Sequence, residues 1–92
     1  MSLHIGLRVA DSVVYQKLND EMVLLNLDSQ NYYSLDDVAT HMWDALMKLG
    51  TIEAAAGALT KEFDVAPEVL GSDLEDLVHK LIEAGLLVTT TS

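Results

Sequence analysis

Apolar residues between Val13 and Leu35 fall in three short runs, VVYQKL, EMVLLNL and NYYSL, separated by the polar pairs and triplets ND and DSQ. Short runs rich in β-branched and aromatic residues, bounded by turn formers, predict strands joined by tight turns. In the second run Val23, Leu25 and Leu27 share one face and Met22, Leu24 and Asn26 the other. Apolar side chains on both faces mark that strand as the central one of the sheet.

After Leu35 the period changes from two to 3.6. Ser34 is placed to cap a first helix, with Asp37 in its first turn and Tyr33 stapled onto Val38. Val38, Met42, Ala45 and Leu49 form its apolar stripe, broadened by Ala39, Trp43, Leu46 and Met47, and Gly50 is its stop. Thr51 caps a second helix in which Ile52, Ala55, Ala56, Leu59 and Phe63 recur at helical spacing. A third helix carries Leu70, Leu74, Leu77 and Leu81, with Val78 and Ile82 at one margin, and ends at Gly85 before the strand-like LLV. Pro67 suits a first helical position, but Gly71 weakens the turn that follows, and the capping box SDLE at 72–75 predicts a brief turn and then a fresh start. The expectation is an α+β fold, an N-terminal three-stranded antiparallel sheet followed by a three-helix bundle, the helical part resembling a winged helix. Its 92 residues predict a single domain (1–92) with a core spanning about 13–88.

Composition narrows the function. Half of the residues are apolar, enough for a folded core. There is no cysteine, which removes disulfides and thiolate chemistry. No stretch is long and apolar enough to span a bilayer, and MSLHIGLR lacks a signal-peptide apolar region, so the expected setting is the cytoplasm with no membrane partner. Fifteen acidic residues against five basic ones give a net charge of −10. A DNA-reading third helix bearing Asp73, Glu75, Asp76 and Glu83 against Lys80 alone repels phosphates, so no nucleic-acid partner is expected.

Catalytic chemistry finds no foothold either. His4, His41 and His79 form no zinc pattern, and Asp37, His41 and Asp44, though at i, i+4 and i+7, are explained more simply as a hydrated helix surface. No metal, cofactor or catalytic residue is expected. An acyl or peptidyl carrier is the alternative from another class, because its phosphopantetheine serine sits in an Asp-Ser-Leu triplet at a helix start. Here Ser72 precedes Asp73 in inverted order, and Ser12, in the correct order after Asp11, precedes a strand. A winged-helix interaction module is a second alternative.

VLLNLDSQNYYSLDDVATHMWDAL, TIEAAAGALTKEFDV and DLEDLVHKLIEAGLL, in this order and spacing, resemble the PqqD-like proteins, the RiPP recognition elements of ribosomal-peptide biosynthesis. The resemblance covers about 13–88. The stretch YYSL…A..MW..L is closer to the stand-alone leader-binding partners of lasso-peptide pathways than to coenzyme PQQ synthesis protein D itself, whose proline-containing segment after the second strand is absent. The resemblance implies a non-catalytic adaptor or chaperone of natural-product biosynthesis. The leader of a precursor peptide adds as a strand to an open sheet edge, beside the third helix, and is presented to a modifying enzyme such as a radical SAM protein, leader protease or cyclase.

The residues themselves are compatible with such an edge. NYYSL holds two of the chain's few aromatics and neither the lysine nor the proline that protects exposed edges. The implied peptide-binding residues are Asn31, Tyr32, Tyr33, Ser34 and Leu35 on this strand and Asp73, Asp76, Leu77 and Lys80 on the third helix. Alternation sends Tyr32 and Tyr33 to opposite faces without saying which one meets the peptide. Periodicity leaves two helix margins open, Asp73, Asp76 and Lys80 or Glu75, Val78 and His79; the family's acidic residue at the helix start matches Asp73 and selects the first. A homodimer formed edge to edge is another use of the same strand.

Overall fold

The computed structural model describes residues 6–90. The sheet grows outward from its middle strand. β2 (Val13–Leu18), β3 (Glu21–Asn26) and β4 (Tyr32–Leu35) pair antiparallel in the order β2-β3-β4, as the two-period runs predict. The β2–β3 turn places Asn19 at φ 59°, a left-handed conformation that asparagine tolerates better than most residues. Met22, Leu24 and Asn26 on the inner face of β3 are buried, whereas Val23 on the outer face is exposed.

Three helices follow: α1 (Asp37–Leu49), α2 (Ile52–Glu62) and α3 (Pro67–Glu83). α1 contributes Met42, Trp43 and Leu46 to the core beneath the sheet. Its Val38 and Leu49, expected in the buried stripe, are exposed, because the face centred on Trp43 is the one turned to the sheet. Gly50 closes α1 at φ 88°, and its backbone N–H donates to the Leu46 carbonyl. Thr51 caps α2 by accepting from the Ala54 amide. Leu70, Leu74, Leu77, Val78 and Leu81 of α3 are buried, completing a single apolar cluster that joins sheet and bundle.

The chain departs from the sequence-based expectation at two helix starts. Asp36, not Ser34, caps α1: its carboxylate accepts from the Ala39 amide at 2.8 Å, while Ser34 is still paired in β4. The N′ residue is therefore Leu35, and the exposed Val38 cannot serve as the staple partner of Tyr33. Asp36→Ala is expected to lower stability by about 1 kcal/mol in urea denaturation and Ser34→Ala by less than about 0.5 kcal/mol. α3 is one continuous helix from Pro67; Ser72 lies inside it and the expected break is absent.

A second, two-stranded sheet pairs β1 (Leu7–Val9) antiparallel with β5 (Leu87–Thr89). The Leu7 amide donates to the Gly50 carbonyl, tying this sheet to the end of α1. The architecture is α+β and winged-helix-like. No helix among the described residues is long and apolar enough to cross a membrane.

Candidate peptide-binding groove

The hydrogen-bond pattern of the hairpin decides which way each backbone group of β4 points. The Asn26 amide donates to the Asn31 carbonyl at 2.9 Å, and the register continues through Leu25 with Tyr32, Leu24 with Tyr33, Val23 with Ser34 and Met22 with Leu35. Opposed residues of an antiparallel pair alternate between hydrogen-bonded and non-hydrogen-bonded positions. Asn31, Tyr33 and Leu35 therefore turn their backbone groups toward β3. Tyr32 and Ser34 turn both N–H and C=O outward, where no further strand pairs among the described residues.

The other edge of the sheet is differently furnished. β2 carries Lys17, whose ammonium pairs with the Asp44 carboxylate of α1, and Tyr15, whose ring meets Trp43 edge-on at 5.7 Å. A lysine on an edge strand discourages pairing by other chains. β4 has no such guard, and it borders a groove lined from the sheet, α1 and α3.

That groove has a volume of about 370 Å³. Tyr33, Ser34 and Leu35 form its sheet side, and Asp36, Val38, Ala39 and Met42 its near end at the start of α1. Asp73, Asp76, Leu77 and Lys80 form the α3 side. Leu35, Met42 and Leu77 are buried and make an apolar floor; Asp73, Asp76 and Lys80 are exposed and make a charged rim. None of these three rim charges has an ion-pair or hydrogen-bond partner among the described residues, so each is available to a ligand.

Seven of the nine residues singled out on the sequence line this one groove: Tyr33, Ser34, Leu35, Asp73, Asp76, Leu77 and Lys80. The two tyrosines divide as strand alternation requires. Tyr33 is half-buried on the groove side, and Tyr32, 72% exposed, stands on the opposite face of the sheet. Asn31 lies before the strand, its carbonyl already engaged by Asn26 and its amide donating to Ser29 Oγ. On α3 the margin of Asp73, Asp76 and Lys80 faces the groove, whereas Val78 of the other margin is fully buried. The sequence does not point to α1 as part of the groove: Met42 lies in the core as its stripe predicts, and together with Ala39 and the exposed Val38 it also lines the groove.

The other candidate residues have different surroundings. His41 Nδ1 lies 2.8 Å from the Asp37 carbonyl and its ring meets Phe63 edge-on, while Asp44 holds Lys17. Among the described residues no three His, Cys, Asp or Glu side chains are grouped to hold a metal ion. His4 lies outside the described residues. Ser12 donates its hydroxyl to Asp28 at 2.6 Å in a turn, and Ser72 is in the interior of a helix; neither occupies the helix start that a carrier serine needs.

The chain is similar to known proteins in sequence and in fold. The sequence model of the family described as Coenzyme PQQ synthesis protein D (PqqD) matches residues 21–87. Two solved structures superpose over nearly the whole chain. TbiB1 in complex with the TbiA(beta) leader peptide is 29% identical with a TM-score of 0.84, covering 92% of this chain and 99% of that one. A lasso peptide synthetase B1 complexed with the leader peptide is 26% identical with a TM-score of 0.82, covering 90% and 98%. No curated protein sequence matches.

Proposed function

Because the chain belongs to the PqqD family, we propose that it is an adaptor that binds the leader segment of a ribosomally made precursor peptide by strand addition and delivers it to a modifying enzyme. The observation that carries this reading is the outward-facing backbone of Tyr32 and Ser34 beside a groove with an apolar floor. A peptide lying along β4 completes the ladder with up to four hydrogen bonds. Each contributes a net of about 0.5–1.5 kcal/mol in a generic, sequence-tolerant way.

Selectivity then comes from alternate side chains of the added strand. Those on the groove side meet Leu77 and Met42 below and Asp73, Asp76 and Lys80 at the rim. A leader lysine or arginine beside the two aspartates is favoured, because a charge-assisted hydrogen bond is about twice as strong as a neutral one. In this reading the chain supplies binding and presentation, and bond-making belongs to the partner, a radical SAM protein, leader protease or cyclase. The two structural relatives, both bound to leader peptides and one a lasso peptide synthetase component, support a lasso-type precursor as the first to test.

Titrating the isotopically labelled chain with the leader of its precursor tests the assignment. Amide shifts are expected at Tyr32 and Ser34 and along 73–80, with β2 little changed. Leader binding that leaves 32–35 unmoved would overturn the proposed mode.

A further inference from the structure

The three-stranded sheet has two edges, and their backbones offer a guest strand the same hydrogen bonds. The Leu27 amide donates to the Ser12 carbonyl at 2.8 Å, and the register runs on through Val13 with Asn26, Tyr15 with Leu24 and Lys17 with Met22. Alternation along the antiparallel pair therefore turns the backbone groups of Val14, Gln16 and Leu18 toward β3. Tyr15 and Lys17 are left with N–H and C=O directed outward, as Tyr32 and Ser34 are on β4. Hydrogen bonding alone gives a leader no reason to choose β4 over β2.

The edges differ in where the side chains of these outward residues go. Tyr32 and Ser34 oppose Leu25 and Val23 and send theirs away from the helices. Tyr15 and Lys17 oppose Leu24 and Met22, the buried inner residues of β3, and send theirs toward α1. There the Tyr15 ring meets Trp43 edge-on and the Lys17 ammonium pairs with the carboxylate of the adjacent Asp44. The space between strand and helix that stands open at β4 is bridged at β2 by two side chains. Lys17 and Asp44 are both about half exposed, so their ion pair adds little to stability. Its effect falls on whatever approaches the edge. An inward side chain of a guest at β2 meets a ring and an ammonium in place of an apolar floor.

Resting on the adaptor reading above, we propose that Tyr15 and Lys17 are specificity-determining residues: by bridging to α1 they close the β2 edge, so that each chain takes one leader and takes it at β4. The choice of edge decides where the cargo is presented. A guest at β2 lies about 19 Å from a guest at β4, four strand spacings of about 4.8 Å, and is out of place for an enzyme that meets the leader at β4. An unguarded β2 edge also accepts the same edge of a second copy of the chain.

The test uses the full chain and the leader of its precursor peptide. Tyr15→Thr and Lys17→Val, made together, remove both bridges and leave the backbone of the edge unchanged. Sedimentation velocity reads self-association, and isothermal titration reads the number of leaders bound per chain. The parent is expected to be monomeric and to take one leader. The double variant is expected to self-associate at least about tenfold more tightly than the parent, or to take up a second leader, with affinity at the first site within about twofold. Lys17→Arg, which keeps the ion pair, is expected to match the parent. So is Lys61→Gln, which removes the same single charge from the last turn of α2. If circular dichroism shows the double variant unfolded, Lys17→Thr alone carries the test. A folded variant that stays monomeric and takes one leader overturns the proposal. Equal self-association of Lys61→Gln also overturns it, because net charge and not the edge is then responsible. Failure of the parent chain to bind leader overturns the adaptor reading itself, while sedimentation still decides whether the two side chains guard the edge.

Discussion

Replacing Trp43 by alanine is expected to lower the unfolding free energy by about 3–5 kcal/mol, the usual cost of truncating a buried aromatic. Trp43 is the chain's one tryptophan and its largest fully buried side chain. It projects from α1 into the cluster that includes Leu24 of the sheet and Leu81 of α3, with the Tyr15 ring against it. A domain of this length has a total stability of only about 5–14 kcal/mol, so the loss is a large fraction of the whole. Urea denaturation followed by far-ultraviolet circular dichroism measures it, since the tryptophan signal itself is removed. A loss below about 1 kcal/mol would show that the sheet and the bundle are held together elsewhere. Tyr15→Ala, at a half-exposed position, is expected to cost much less.

Proline at Ser34 is expected to abolish most leader binding while leaving the fold intact. The Ser34 N–H points away from β3, so its removal breaks no bond within the sheet, and edge positions of this kind are where strands accept proline. The leader, however, loses a donor at the centre of the added ladder and meets the pyrrolidine ring. An unmade hydrogen bond to a buried partner costs about 1–3 kcal/mol, which corresponds to about 5- to 150-fold in affinity. Tyr33→Pro is the opposing case. Its N–H faces Leu24 in β3, so the same substitution one residue earlier is expected to unfold the hairpin. Isothermal titration with the leader, alongside thermal melts, separates the two. Equal effects from both substitutions would mean that the alternation of β4 has been assigned the wrong way round.

Much of the fold was legible because local chemistry and tertiary demand agree. Gly50 and Thr51 stand side by side as stop and start, and the structure uses both as the sequence predicts. The alternation in β3 likewise announced a central strand. Where they conflict, burial wins. SDLE is a sound capping box, yet α3 runs through it. Gly71 costs about 1 kcal/mol relative to alanine, whereas leucines that continue the buried stripe on either side, Leu70 and Leu74, each contribute about 1.5–3 kcal/mol.

The cap of α1 falls at Asp36, two residues beyond the Ser34 that the sequence predicts. Pairing with Val23 kept Ser34 in the sheet and left the cap to Asp36. The β1–β5 sheet was half seen, as LLV. Its partner LRV is three residues long and lies almost a full chain length away, so nothing local announces the pair. In the groove the strand and the α3 margin could be nominated from period and resemblance. The α1 residues could not, because their place depends on where the helix begins.

Asn26 makes a further demand on any ligand. Its side-chain amide donates to the Gly85 carbonyl at 2.7 Å, and its side-chain oxygen accepts from the Asp28 and Ser29 amides at 2.9 and 3.1 Å. Gly85, at φ 76°, sits so close that an added Cβ lies 3.1 Å from that amide nitrogen. One side chain thus rivets the tip of the β3–β4 hairpin to the corner where α3 gives way to β5. The two banks of the channel are joined at one end. In the proposed adaptor role a guest strand meets a berth partly assembled beforehand, so more of the ordering entropy of the encounter falls on the guest than on its host.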